Sequence, residues 1–99
     1  MYLGSCLCGK VNVKITGNIT SIIHCHCSLC RKNSGTAFAT NGFVNAEEFL
    51  ITQGQDSLSG YAFKPGRTRY FCACCGSPIY SENTSDKGRF RIRLGLLDS

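Results

Sequence analysis

Two stretches at opposite ends of the chain decide its fold: Gly4-Ser5-Cys6-Leu7-Cys8-Gly9 and Phe71-Cys72-Ala73-Cys74-Cys75-Gly76. Each carries a pair of thiols two or three residues apart with a glycine directly behind. That is the ligand spacing of tetrahedral zinc sites. Gly9 and Gly76 allow the tight backbone turn that lets N–H groups face thiolate sulfur. Cys6, Cys8, Cys72 and Cys75 make a complete set of four. Zinc bound by them would staple the first strand to a late hairpin, since Cys8 and Cys72 stand 64 positions apart.

Between these ends lies Cys25-His26-Cys27-Ser28-Leu29-Cys30, three thiols in six residues with no fourth ligand nearby. Two readings stand open. In one, Cys27 and Cys30 join Cys72 and Cys75 in a zinc ribbon, and Cys6, Cys8 and Cys25 have no ligand role. In the other, Cys25, Cys27 and Cys30 hold a zinc whose fourth position takes water, an external thiol or substrate. Three thiolates leave such a centre at a net −1, a poor Lewis acid suited to exchange with an incoming thiolate. Ser28, read as a helix N-cap, would aim backbone N–H groups at the sulfurs and offset that charge. Strand alternation argues that His26 packs beside the site and does not ligate. Cys74 breaks the pair spacing and reads as a spare, oxidisable thiol.

Composition narrows the classes. The chain has 99 residues, 42 % of them hydrophobic and 17 % charged, with eight cysteines and no tryptophan. It is too apolar for a disordered tail, and no apolar run approaches the roughly 18 residues of a membrane span. A domain this small buries only about 60–65 % of its unfolded surface, so it needs a staple besides its core. Disulfides within such tight clusters would close very short, strained loops, so metal is the expected staple. Residues 1–6 show no basic stretch leading into an apolar segment, and we expect a reducing, cytoplasmic setting. The formal charge of +5 falls to +2 once seven thiolates hold two Zn²⁺, which weakens any case for nucleic acid.

Short strands separated by turns are expected throughout, in one domain over residues 1–99. Val11–Ile15 alternates apolar and polar residues, as a half-buried strand does. Ile22–Cys25 is a second run, Ser28–Lys32 one helical turn broken by Gly35, and Ala37–Val44 extended. Asn45–Phe49 reads as a capped turn before a strand at Leu50–Thr52. Lys64-Pro65-Gly66-Arg67 is a hairpin signal between Tyr61–Phe63 and Thr68–Phe71. Ser77–Ser81 and Arg89–Leu94 complete a mainly β domain. Arg89, Arg91 and Arg93 fall on one strand face, read first as solvated. Tyr61, Tyr70, Phe71 and Tyr80 are read as core.

The ordered motifs Gly4–Gly9, Cys25-His26-Cys27-Ser28-Leu29-Cys30-Arg31-Lys32-Asn33-Ser34-Gly35 and Phe71–Tyr80 closely resemble the glutathione-dependent formaldehyde-activating enzyme family, which includes centromere protein V. The resemblance runs from residue 4 to about residue 97. It implies a small β-tent of antiparallel sheets, a structural zinc on Cys6, Cys8, Cys72 and Cys75, and a catalytic-type zinc on Cys25, Cys27 and Cys30. It also implies carbon–sulfur lyase chemistry that joins a thiol such as glutathione to formaldehyde or a similar small aldehyde. Arg67, Arg69 or the Arg89, Arg91 and Arg93 face would then hold the thiol's carboxylates. The competing function is a non-catalytic, zinc-dependent module binding protein or nucleic acid. Family members usually continue beyond Leu94–Asp98. A domain shorter than the family is therefore expected to expose an apolar patch at Leu94, Leu96 and Leu97, and either to pair as a homodimer or to be a fragment of a longer product.

Overall fold

The computed structural model describes residues 1–98. Its strands are β1 (Tyr2–Ser5), β2 (Asn12–Ile15), β3 (Thr20–Cys25), β4 (Ala39–Asn45), β5 (Phe49–Gln53), β6 (Leu58–Lys64), β7 (Arg67–Cys72), β8 (Pro78–Asn83) and β9 (Arg89–Arg93). One helix, α1 (Ser28–Ser34), follows β3. The strands form two antiparallel sheets, of order β1-β2-β5 and β3-β4-β9-β8-β7-β6. The mainly β reading holds, and no helix among the described residues is long and apolar enough to cross a membrane.

The period-two pattern places the core. Val11, Val13 and Ile15 alternate inward from the small sheet, meeting Val44, Ile79 and Ile92 from the large one. Every fully buried side chain is a small aliphatic one or Cys72. Aromatic rings form a second layer, with Tyr80 contacting Phe49, Tyr70 and Phe90 at centroid distances of 4.7–4.9 Å. Tyr61 departs from expectation. It lies on the edge strand β6, where no further strand covers it, and is 59 % exposed.

Local chemistry explains the turns, with two corrections. Asn45 does not cap the 3₁₀ turn Ala46–Glu48; its side-chain N–H donates instead to Glu48 Oε1 (2.9 Å). The expected apolar patch at the C-terminal stretch is also absent. Leu96 is buried, Leu94 and Leu97 pack on the core, and Leu97 bridges to Gly4 of β1. Exposed aliphatics occur elsewhere, among them Ile22 and Ile23 on the edge strand β3. That strand is bulged between Thr20 and Ile23, with Ser21 at φ 51°, the local twist a bulge brings.

Gly54 shows how closely the sheets' loops pack. Its φ is +84°, and a Cβ there would stand 2.0 Å from the Lys10 carbonyl oxygen, just behind the first thiol pair. Gly54→Ala is expected to cost about 1–3 kcal/mol, read as a fall in Tm of roughly 4–8 °C per kcal/mol for a domain of this size. Gly88→Ala, with ordinary φ and nothing within 4 Å of the added carbon, should melt like the parent.

Candidate metal centres

Cys6 follows β1 of the small sheet, and Cys72 ends β7 of the large one. Two backbone loops bring their thiols together. Cys6 N–H donates to Val11 O and Gly9 N–H to Cys6 O, both at 3.0 Å. In the second loop Cys72 N–H donates to Ser77 O (3.0 Å) and Gly76 N–H to Cys72 O (2.7 Å). Gly9 and Gly76 take φ of +81° and +80°, the left-handed values these loops require. The loops are tied by Leu7 N–H donating to Ser77 Oγ at 2.9 Å.

As a result the sulfurs of Cys6, Cys8, Cys72 and Cys75 lie within 4.8 Å of one another. Cys6 and Cys8 sulfurs are 3.5 Å apart, and those of Cys8 and Cys72 are 3.7 Å apart. A disulfide would need about 2.05 Å. A tetrahedron of thiolates about 2.3 Å from zinc has edges of about 3.8 Å, so the donor set fits that ion. The ribbon pairing is not formed, because Cys72 and Cys75 stand with Cys6 and Cys8. Hydrogen bonds from the Ser77 hydroxyl and backbone hold the Cys75 thiol down to about 5. Val11 N–H donates to Cys6 Sγ at 3.3 Å, a further N–H turned onto sulfur. Cys74 lies outside the cluster, exposed beside Lys10.

Cys25, Cys27 and Cys30 form the second cluster, also within 4.8 Å, with 3.4 Å between Cys25 and Cys27 sulfurs. Their helix begins differently from the sequence reading. Cys27, not Ser28, is the N-cap, and its sulfur accepts Cys30 N–H at 3.4 Å. The sulfur thus takes the role usually given to a hydroxyl or carboxylate oxygen. That bond, with those from the neighbouring thiols, holds Cys27 down to about 7, while burial first and then the adjacent sulfurs push Cys30 up to about 12. Gly35 ends the helix in the left-handed region, donating to Arg31 O. His26 stands outside the cluster, its ring 5.1 Å from Phe38, which also stacks on His24. No fourth protein ligand joins the three thiols among the described residues.

The cluster opens into a cavity of ≈ 230 Å³ that it shares with Arg67, Arg69, Arg91 and Arg93. Sequence periodicity put Arg91 and Arg93 on a common face; it did not reveal that the face turns toward the thiols. Both are half-buried rather than solvated. Burial, followed by the neighbouring guanidiniums, lowers the pKa of Arg69 and Arg91. Arg93 is lowered by burial against the opposing pull of Cys30 and Cys25. Arg89 is excluded; it pairs with Asp86 at 2.9 Å. A larger cavity of ≈ 670 Å³ lies across Arg93, between Cys6 and Phe38, and Ser5, Ser34, Thr36, Thr40 and Ser77 line it with hydroxyls.

Two antiparallel sheets with a four-thiol cluster at their junction and a three-thiol cluster beside a basic cavity define a small β protein equipped to hold metal. The chain belongs to the glutathione-dependent formaldehyde-activating enzyme family, whose family model matches residues 1–99. A Halomonas elongata protein named "Putative glutathione-dependent formaldehyde-activating enzyme" is 29 % identical over 84 residues, covering 78 % of this chain. The chain spans about half of that relative's length, 53 %. The crystal structure of a Rhodobacter sphaeroides protein superimposes with a TM-score of 0.83 at 21 % identity, over 98 % of this chain and 88 % of the other, and so shares the fold.

Cys74 and Cys75 separate the cluster's geometry from mere sequence proximity. Cys75→Ser should lose one metal per chain by elemental analysis and most of the cooperative melt, since metal binding in small zinc modules carries on the order of 10 kcal/mol of folding free energy. Cys74→Ser should keep both, shifting stability by no more than about 0.5 kcal/mol. Reversed outcomes would mean that the fourth ligand is Cys74.

Proposed function

We propose that the protein binds two Zn²⁺, a structural one on Cys6, Cys8, Cys72 and Cys75 and a reactive one on Cys25, Cys27 and Cys30. On this reading it joins a glutathione-like thiol to formaldehyde or a similar small aldehyde, the reverse of a carbon–sulfur lyase reaction, in a reducing compartment such as the cytoplasm. One observation carries it: three thiols from a short loop converge without a fourth ligand and face a cavity. Family membership and the relative's name support the thiol and the aldehyde.

Zinc held by three thiolates supplies a fourth position where an incoming thiol can ionise. The chain's own groups do the rest. Cys30 N–H, bonded to Cys27 Sγ, fixes that sulfur's orientation and tempers its charge. The thiol sulfur forms a bond to the carbonyl carbon, the carbonyl π pair moves to oxygen, and the thiol proton ends on that oxygen, giving an S-hydroxymethyl product. Asn41, buried and lining the cavity, and Arg93 beside it are the donors suited to the oxygen as it gains charge. The cations gather in a concave cavity rather than along an open stripe, which favours a small ligand over a nucleic-acid backbone.

Cys27→Ser provides the test. It should release about one zinc per chain and lower thiol-dependent consumption of formaldehyde by more than the roughly 10–100-fold seen when only a partner behind a metal ligand is lost. The melt should stay cooperative, because the four-thiol cluster is untouched. Collapse of the fold as severe as in Cys75→Ser would make this zinc a second staple and end the catalytic reading.

A further inference from the structure

Beside the three-thiol cavity lies a smaller recess of ≈ 180 Å³, between α1 and the β6–β7 hairpin. Leu29, Lys32 and Asn33 reach it from one face of the helix, standing three and four positions apart. Tyr61 and Phe63 line it from β6, and Arg69 of β7 stands opposite Tyr61 in the register. That register shifts between Ala62 and Lys64, which leaves Phe63 as the extra residue of a bulge. Bulges re-aim side chains, and the Phe63 ring carries the Arg67 guanidinium 5.3 Å from its centre. Two polar atoms of the residues around the recess are out of balance. Asn33 Oδ1, an acceptor, and Arg69 Nε, a donor, are each buried with no hydrogen-bond partner, and they do not bond each other.

A buried polar group left unpaired opposes folding. One ligand group that both accepts and donates would serve the two atoms together, as a hydroxyl does. A carboxylate only accepts and would leave Asn33 Oδ1 without a donor. A volume of ≈ 180 Å³ is about 7 Å across, little more than two hydrogen bonds laid end to end. The rest of the lining suits a flat apolar body. Leu29, Tyr61 and Phe63 supply the apolar walls, and a dry cavity of about 150 Å³ is enough to take benzene. Lys32 and Arg69 bring cations, which favour an electron-rich ring. We infer that the recess binds a small phenol, its ring against Leu29, Tyr61 and Phe63 and its hydroxyl shared between Arg69 Nε and Asn33 Oδ1. Leu29, Asn33, Phe63 and Arg69 also line the thiol cavity, so the two spaces adjoin, which suits a free small molecule. The phenol site stands whether or not the proposed thiol reaction does.

Titration of the metal-loaded protein with 4-methylphenol, toluene and N-methylacetamide, followed by NMR of side-chain N–H groups, tests this. In the parent protein 4-methylphenol should shift the Arg69 Nε–Hε and Asn33 amide resonances. It should bind roughly 10–100-fold more tightly than toluene, the range for a hydrogen bond to a charged group. Asn33→Leu should bring 4-methylphenol down toward toluene and leave toluene unchanged, a contrast that a merely weakened fold would not give. Tyr61→Ser, at an exposed edge position, should weaken both aromatic probes. Equal binding of toluene and 4-methylphenol would mean that water serves the two polar atoms, and overturns the proposal. So would N-methylacetamide binding as tightly as 4-methylphenol, which would assign the pair to an amide. A capped tripeptide with tyrosine at its centre, binding more tightly than 4-methylphenol, would overturn the small-molecule assignment in favour of a partner chain's tyrosine.

Discussion

The geometry that the rest of this fold depends on is the convergence of four thiols from the ends of two different sheets. Cys6 and Cys72 are themselves members of the core, each almost fully buried, in one cluster with Val11, Val13, Ile15, Val44, Phe49, Ile79, Ile92 and Leu96. A core so thin cannot hold a three-stranded and a six-stranded sheet in register by burial alone. The two loops, each with its N–H groups turned inward, fix the angle between the sheets.

Much of this was legible in the sequence because a thiol pair's spacing is itself a geometric statement. Two or three residues with a following glycine describe a turn, and a turn brings two sulfurs to one point whatever surrounds it. Alternation was equally direct at Val11, Val13 and Ile15, which all turn inward. The arginines were harder. Periodicity placed Arg91 and Arg93 on one face, but which face meets solvent depends on where the loop that carries Cys25, Cys27 and Cys30 comes to lie, a long-range fact. Cys27 as a helix cap escaped for a different reason. Propensity favours the oxygen of Ser28, while the observed loop uses sulfur because Cys27 must face its neighbouring thiols in any case.

The two clusters divide the domain's chemistry by environment. Around Cys6, Cys8, Cys72 and Cys75 the donors are backbone and hydroxyl groups, and the sulfurs abut apolar core. Around Cys25, Cys27 and Cys30 the surroundings are cationic, and the sulfurs open on a cavity. Fixed backbone and hydroxyl dipoles face the sulfurs of the first, while at the second the Cys30 N–H is joined by the half-buried arginines that line the cavity.

The bulged edge strand β3 carries a consequence for the chain's motions. Its neighbour on one side is β4 and on the other nothing, its residues Thr20–His24 are exposed, and α1 beyond it buries none of its own. Segments with few buried contacts open at a fraction of the global unfolding free energy. Hydrogen exchange should therefore run fastest across residues 20–35 and slowest at Val13, Ile79 and Ile92. Opening of that segment exposes the Cys25–Cys30 loop while the junction of the sheets stays closed, so whatever the loop holds is exchanged by a local event and not by unfolding.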